Sequence, residues 1–262
     1  MKLMCTNFVS EDATVITASS QDPNFPVSNF KNQMRSKCWR STDVTSENVV
    51  FDLITTEEID SVVVLWTKED GPKLSDSATI TIQANATNVW TSPAVSQVLT
   101  INDTYEIASY YFSNAKSYRY WRIVITDPGN PYGYLEIGKI WLGSSIQIQN
   151  AQNGFKFYLT DQSVQSTTPF GHAYTDVYPT LASLDFTYAN MTYADYALLE
   201  AAFRLNGNHL PVMIVVDPFE AVFNKDHFAI YGLFSNKNSS WAATQVNYNI
   251  LTTDTITVQE IA

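Results

Sequence analysis

The sequence predicts a mainly β protein built of two domains, and three features of the chain lead to that prediction. Most apolar residues fall in short runs rich in β-branched and aromatic side chains, and Asp-Pro and Gly-Pro turns separate these runs. One stretch alone has the apolar spacing of an amphipathic helix. A small, uncharged segment over residues 143–154 divides the 262-residue chain, and we place the domains at residues 1–145 and 146–262.

The first domain consists of predicted strands with no helical pattern. The predicted strands cover residues 13–18, 48–53, 61–66, 79–83, 105–112, 118–126 and 135–142. The run at 61–66 is continuously apolar, as in a strand covered on both faces, whereas residues 79–83 alternate strictly between polar and apolar side chains. Many short strands joined by turns are typical of a sandwich or jelly roll, so we predict a β jelly roll.

The second domain combines predicted strands with the one helix. Its strands cover residues 155–160, 181–187, 211–216, 228–234, 246–251 and 255–259. Thr192 stands where a capping residue would begin a helix, and Tyr196, Leu199 and Phe203 then share one face as far as Asn206. We therefore predict an α+β domain in which one amphipathic helix packs on a mostly antiparallel sheet.

The charge balance excludes several classes of partner. The chain has 15 basic and 26 acidic residues, a formal net charge of −11, and no cluster of lysines or arginines. Specific nucleic-acid binding normally needs a basic surface, and acidic membrane surfaces repel such a protein. No apolar stretch approaches the roughly 20 residues of a membrane span, and Lys2 is followed by no apolar run of a signal peptide. We expect synthesis in a cytoplasm, no membrane partner and no specific nucleic-acid partner.

The residues that normally bind metals or cofactors are scattered along the chain. His172, His209 and His227 lie far apart, without the spacing that brings two imidazoles to one ion. The chain has neither a Gly-x-Ser-x-Gly elbow nor a glycine-rich phosphate loop. Cys5 and Cys38 are too few for a disulfide framework, and we predict buried free thiols. The sequence therefore predicts no metal site and no cofactor.

Carboxylates are the remaining candidates for catalysis. A glycosidase needs two of them facing each other at about 5 to 9 Å. Asp52, Asp60, Glu136, Asp185 and Asp217 lie in or beside predicted strands, but nothing in the sequence shows that any two converge. We predict that the protein is not an enzyme and keep a glycan-degrading enzyme as a lesser hypothesis.

Tryptophans supply the candidate ligand or interface residues. Trp66, Trp121 and Trp141 lie inside strand patterns, which favours burial. Trp90 and Trp241 lie in polar loops, where a flat apolar ring can stack on a sugar or anchor an interface. Local packing is the alternative for both, and the sequence leaves the two interpretations even.

Several motifs of the first domain resemble the discoidin-like, or coagulation factor 5/8 type C, family. They are Ile-Thr-Ala-Ser-Ser at 16–20, Phe-Pro-Val-Ser-Asn-Phe at 25–30, Lys-Cys-Trp-Arg-Ser-Thr at 37–42, Val-Phe-Asp-Leu at 50–53, Tyr-Trp-Arg-Ile-Val-Ile at 120–125 and Leu-Glu-Ile-Gly-Lys-Ile-Trp-Leu-Gly at 135–143. The resemblance covers about residues 10–143 and implies a β jelly roll. Cys5 and Cys38 do not reproduce the terminal disulfide common in extracellular members.

A second resemblance concerns structural proteins of tailed bacteriophages. The segment at 121–143 is similar to one found in such proteins, and the order of elements in the second domain resembles tail-tip and minor tail proteins. There, a sheet and one helix build the ring common to tail tube, distal tail and hub subunits. The resemblance implies a virion component at the distal end or baseplate of the tail. Its partners would be copies of itself in a ring and other tail proteins.

The sequence leaves one main alternative for function. In that alternative the jelly roll is a carbohydrate-binding module whose loops contact a host surface glycan. The two hypotheses are compatible, because a tail protein can carry such a module. The ring symmetry, the neighbouring proteins and the ligand are not determined by the sequence.

Overall fold

The computed structural model describes residues 1–67, 74–75, 77–102, 106–146, 155–216, 226–235, 243–247 and 250–261. The chain divides into two compact units. The jelly-roll unit comprises Met4–Ser145 with Pro218–His227. The sheet–helix unit comprises Met1–Leu3, Ile146–Asp217 and Phe228–Ala262.

Strands dominate both units. The strands in the N-terminal part are β1 (Lys2–Met4), β2 (Val15–Ala18), β3 (Trp39–Arg40), β4 (Glu47–Leu65), β5 (Thr79–Asn85), β6 (Val95–Val98), β7 (Thr100–Asn102), β8 (Ile107–Thr126), β9 (Glu136–Ile137) and β10 (Lys139–Gly143). Those that follow are β11 (Ser145–Ile146), β12 (Lys156–Asp161), β13 (Val164–Thr167), β14 (Ala173–Asp176), β15 (Thr180–Phe186), β16 (Val212–Val215), β17 (Ala229–Phe234), β18 (Ala243–Asn247), β19 (Ile250–Thr253) and β20 (Ile256–Glu260). Helix α1 (Tyr193–Asn206) and the 3-10 turns Phe8–Ser10 and Val27–Lys31 complete the described elements.

The pairing of β4 with β8 organises the jelly-roll unit. The sheet runs in the order β10-β4-β8-β5-β6, with β2 beside β4 and β7 beside β8, and its described pairings are antiparallel. The β4–β8 register extends from Glu47 opposite Ile125 to Leu65 opposite Ile107. Strands β3 and β9 form a separate antiparallel pair.

Both long strands join segments that the sequence analysis predicts as separate strands. The register of β4 against β8 shifts between Asp52 and Glu57 and again between Ile59 and Ser61. Ile54 adopts a left-handed conformation with φ of 67°, and its amide donates to Asp52 Oδ1 at 2.9 Å. Because bulge-like irregularities bend a strand without ending it, the segments of β4 and of β8 continue through these register shifts instead of ending in loops.

The core of the jelly-roll unit lies on one face of β4, β8 and β5. Phe51 and Trp121 are directly opposite each other and are fully buried, as is Ile82. The predicted burial of Trp66, Trp121 and Trp141 is confirmed. Of the predicted buried thiols, Cys38 is buried and Cys5 is half-buried, and both are free.

The sheet–helix unit contains a seven-stranded sheet and α1. The sheet order is β11-β1-β16-β17-β20-β15-β12. The predicted helix is confirmed, because Thr192 and Asp195 form the expected capping box and Leu199 is buried. Phe203 packs on Phe234 with ring centroids 5.6 Å apart. At 14 residues α1 is short, and in the described ranges no helix is long and apolar enough to cross a membrane.

The hairpin of β13 and β14 is an element that the sequence analysis does not predict. Its strands pair from Val164 opposite Asp176 to Thr167 opposite Ala173. Nearly all of its side chains are exposed, so the hairpin has no apolar face directed at a core. The alternation that reveals half-buried strands is therefore absent from this segment.

We predict that replacing Ile54 with glycine stabilises the protein. A side chain at positive φ costs about 1–2 kcal/mol, which exceeds the backbone entropy cost of glycine, and the Ile54 side chain is 44% exposed. Urea unfolding should show a gain of about 1 kcal/mol. Val15→Gly, at an exposed position of β2, is the matched control and should destabilise instead. A loss of stability in Ile54→Gly would show that the bend imposes no such strain.

Candidate functional site

Trp90, a candidate ligand residue of the sequence analysis, packs locally. Its side chain is half-buried in the turn that joins β5 and β6, and its indole nitrogen donates to Asn88 Oδ1 at 2.7 Å. The Arg122 guanidinium lies 4.5 Å from the ring centroid, as in a cation–π contact. Arg122 in turn donates to Gln83 on the neighbouring strand. One face of the indole is thus already covered. Trp241, the other candidate, lies outside the described residues.

A cleft lies in the jelly-roll unit beside the bend of β8, the place between Tyr111 and Lys116 where the register against β4 shifts. Its volume is about 420 Å³. Its lining comes from the start of β6 and from both sides of the bend in β8. The lining residues are Ala94, Val95, Ser96, Gln97, Tyr110, Phe112, Ser113, Lys116 and Tyr118.

Three aromatic rings form one wall of this cleft, and the core holds them in place. Tyr110 and Phe112 meet edge to face, with centroids 4.9 Å apart. Phe112 and Tyr118 both pack on the fully buried Trp121, at 6.2 and 6.5 Å between centroids. The Trp121 indole nitrogen also donates to the Tyr118 carbonyl at 3.1 Å. This wall is therefore preorganised before any ligand arrives.

The polar groups of the cleft are not used by the fold. The hydroxyls of Tyr110 and Tyr118, the ammonium of Lys116 and the amide of Gln97 make no hydrogen bond to any residue that the structure describes. Lys116 and both tyrosines are half-buried, whereas Gln97 is exposed at the rim. The site thus offers flat apolar rings together with free donors and acceptors.

The carboxylates considered for catalysis have structural partners. Arg119 donates to both oxygens of Asp52, at 2.6 and 2.8 Å, and these hydrogen bonds lower the pKa of the Asp52 carboxyl. Glu136 accepts two hydrogen bonds from Arg40, the shorter at 2.6 Å. Asp60 accepts from two serine hydroxyls that flank it in the fold. None of these carboxylates lines the cleft.

The remaining titratable candidates do not form a site in the described part of the chain. Asp185 accepts from the Thr257 hydroxyl at 2.7 Å within the sheet–helix unit. Asp217 lies outside the described residues. His172, His209 and His227 join no group of three or more metal-binding side chains where the structure describes the chain.

One buried cation has a purely structural position. Lys139, on β10, is 1% exposed, and its ammonium donates to Ser10 Oγ and to the carbonyls of Phe30 and Asn32 at 2.6–2.9 Å. Burial lowers the pKa of this ammonium to about 7. The side chain ties the 3-10 turns to the sheet and does not reach the cleft.

The comparison with family models identifies the fold of the jelly-roll unit. Residues 15–140 match the model of the F5/8 type C domain. An F5/8 type C, or discoidin-like, domain is therefore present in this chain. The predicted fold class, mainly β with a discoidin-like jelly roll, is confirmed.

Solved structures of carbohydrate-binding modules are similar to about half of the chain. The family 32 module of NanJ from Clostridium perfringens, in complex with galactose, is 11% identical, with a TM-score of 0.43, and the match covers 55% of this chain and 100% of the module. A chitosan-binding module from Paenibacillus sp. IK-5 is 22% identical (TM-score 0.41, 53% and 99% covered). A fucose-binding module of Streptococcus pneumoniae is 14% identical (TM-score 0.42, 53% and 98% covered).

No curated protein sequence matches the chain. None of the matches described here concerns a phage tail, so that resemblance stays a prediction.

We predict that Lys139 makes stability depend on pH. The native state loses this proton near pH 7, whereas the unfolded chain loses it near 10.5. Between these values the unfolded chain holds more protons, so the contribution of Lys139 to stability increases with pH. The difference in unfolding free energy between the natural protein and Lys139→Met should grow by on the order of 2 kcal/mol from pH 7 to pH 9.5, measured with urea. Parallel pH profiles for the two proteins would contradict the assignment.

Proposed function

We propose that the jelly-roll unit binds carbohydrate in the cleft beside the bend of β8. The observation that carries this proposal is the lining of the cleft, in which the rings of Tyr110, Phe112 and Tyr118 stand beside unengaged polar groups. A sugar has apolar C–H faces that stack on aromatic rings and hydroxyl edges that need hydrogen-bond partners. The volume of about 420 Å³ lies within the range of small-molecule sites, about 300–1,000 Å³.

The absence of carboxylates from the described lining supports binding without hydrolysis. Two opposed carboxylates are the usual requirement for glycoside cleavage, and the cleft residues supply none. The protein in this proposal is a recognition module and not an enzyme. The F5/8 type C domain provides a scaffold on which such a site is held by rigid strands.

We predict that Tyr118→Ala weakens glycan binding by about tenfold or more, because a truncated aromatic anchor loses both its stacking area and its hydroxyl. The measurement is binding of the full chain to a glycan array, with titration of any hit. Tyr193→Ala, at an exposed tyrosine on α1 of the sheet–helix unit, is the matched control and should bind normally.

A third variant, Trp90→Ala, tests the loop site that the sequence analysis leaves open. Loss of binding in Trp90→Ala together with full binding in Tyr118→Ala would show that the binding site is the Trp90 loop and not the cleft. Absence of binding to every glycan would overturn the proposed function.

A second function, assembly, is favoured by a different observation. The hairpin of β13 and β14 exposes its side chains on both faces, and Phe170 at its turn is 91% exposed. Val177, just after the hairpin, is 82% exposed, and Leu159 on β12 is 67% exposed. An isolated hairpin is marginally stable in water, and exposed apolar surface of this kind marks interfaces.

We infer that the partner of this surface is a second copy of the chain. Strand β12 ends the described sheet on one side, and the short β11 ends it on the other. An edge strand of one copy can pair with the opposite edge strand of the next copy in a head-to-tail contact. Such contacts generate rings when they close. In this proposal residues 1–145 provide recognition and residues 146–262 provide assembly.

The resemblance to tail proteins indicates a biological structure to which this assembly would belong. We propose that the ring, together with other tail proteins, belongs to the distal end of a phage tail, so that the chain is made in the host cytoplasm and ends in the virion. A host surface glycan would then be the ligand of the cleft.

We predict that the natural protein is oligomeric and that Phe170→Ser combined with Val177→Ser produces monomers, because the exposed apolar contacts are lost. Size exclusion with light scattering at tens of micromolar measures the mass, and electron microscopy shows whether rings form. Met34→Ser, at an exposed apolar position of the jelly-roll unit, is the control and should leave the oligomer intact. A strictly monomeric natural protein would contradict the assembly proposal.

A further inference from the structure

The cleft beside the bend of β8 has an uneven charge. Lys116 is the one charged side chain among its described lining residues, and no carboxylate accompanies it. The whole chain carries a formal net charge of −11, with 26 acidic residues against 15 basic ones. A concave site with a single cation and no anion is therefore unlike the average surface of this protein.

The neighbours of Lys116 do not neutralise it. On β4 it stands opposite Ile59, and its ammonium forms no ion pair with any described residue. Glu57, opposite Tyr118, lies two register positions from Lys116 on the same face of the pair, and it accepts from the Thr55 hydroxyl at 2.6 Å. Glu58 is one position along and is exposed, so the alternation of the strand directs it to the other face.

The half-buried position of Lys116 strengthens its effect on a ligand. Lys116 shares the lining of the cleft with three aromatic residues, and attraction between opposite charges grows as the local dielectric constant falls. The three N–H donors of an ammonium suit the oxygens of a carboxylate or a sulfate. An uncharged sugar would leave this charge partly desolvated and without a counter-ion, which costs binding energy.

We propose that the glycan bound in the cleft is acidic, with a carboxylate or sulfate group placed against the Lys116 ammonium. This inference rests on the proposed carbohydrate-binding function and specifies its ligand class. The sugar ring stacks on the tyrosine wall, and the anionic group selects among sugars of similar shape.

The test uses the full chain on an array that presents each neutral oligosaccharide beside its acidic counterparts. Lactose, 3′-sialyllactose and 3′-sulfolactose form one such set, and polygalacturonate with its methyl ester forms another. We expect the acidic members to bind at least fivefold more tightly, and the sialylated and sulfated members distinguish carboxylate from sulfate. The preference should decrease as sodium chloride is raised, because salt screens the charge.

Lys116→Gln should remove the preference, because the acidic members lose much more affinity than the neutral ones. Lys156→Gln makes the same change in net charge at an exposed position of the sheet–helix unit, and it should keep the preference. Equal binding of neutral and acidic members by the natural protein would overturn this inference and leave carbohydrate binding standing. Retention of the acidic preference in Lys116→Gln would overturn it as well. Failure to bind any member would overturn the proposed function itself.

Discussion

The antiparallel pairing of β4 with β8 is the interaction on which the jelly-roll unit depends. These two strands, of 19 and 20 residues, stand at the centre of the sheet, and β2, β5, β7 and β10 all add to one or the other. Their inward faces bring Phe51 and Trp121 together in the middle of the core. Their register shifts between Asp52 and Glu57 and again between Ile59 and Ser61, where β8 bends, and the pairing continues past both irregularities.

The same bend also creates the candidate site. On either side of it, β8 turns the rings of Phe112 and Tyr118 against Trp121, and the residues between them are left at the surface. The side chains of Lys116 and Tyr118 at the bend make no hydrogen bond to any described residue. In contrast, the carboxylates of Glu136, Asp52 and Asp60 accept hydrogen bonds from arginines and from a serine hydroxyl. The distinction between satisfied and unsatisfied polar groups separates a structural network from a surface suited to a ligand.

The two units differ in what they present to solvent. The jelly-roll unit buries many aromatic residues in its core and has the cleft beside the bend of β8. The sheet–helix unit instead carries a hairpin and an edge strand with exposed apolar side chains, Phe170 above all. A recognition surface on one unit and an association surface on the other would combine specificity with multivalency, because repeated weak sites on an assembly bind a repetitive surface strongly.

Local patterns in the sequence determined much of the secondary structure. The alternation at residues 79–83, the capping box at Thr192 and the stripe that includes Leu199 each specify an element through neighbours a few residues away. The burial of Trp66 follows from its continuously apolar run, which is typical of a strand covered on both faces, and Trp121 lies within another strand pattern. The discoidin-like motifs then indicated how those strands are arranged.

The cleft and the role of Trp90 were decided only by the tertiary structure. Gln97 meets Tyr110 and Lys116 through a sheet in which β6 and β8 are separated by β5, and no short-range pattern records that proximity. The sequence left Trp90 even between ligand binding and local packing, because the arginine that covers it, Arg122, comes from a distant strand. Periodicity along the chain specifies which face of a strand is buried, whereas a binding site requires knowing which distant segments share a surface.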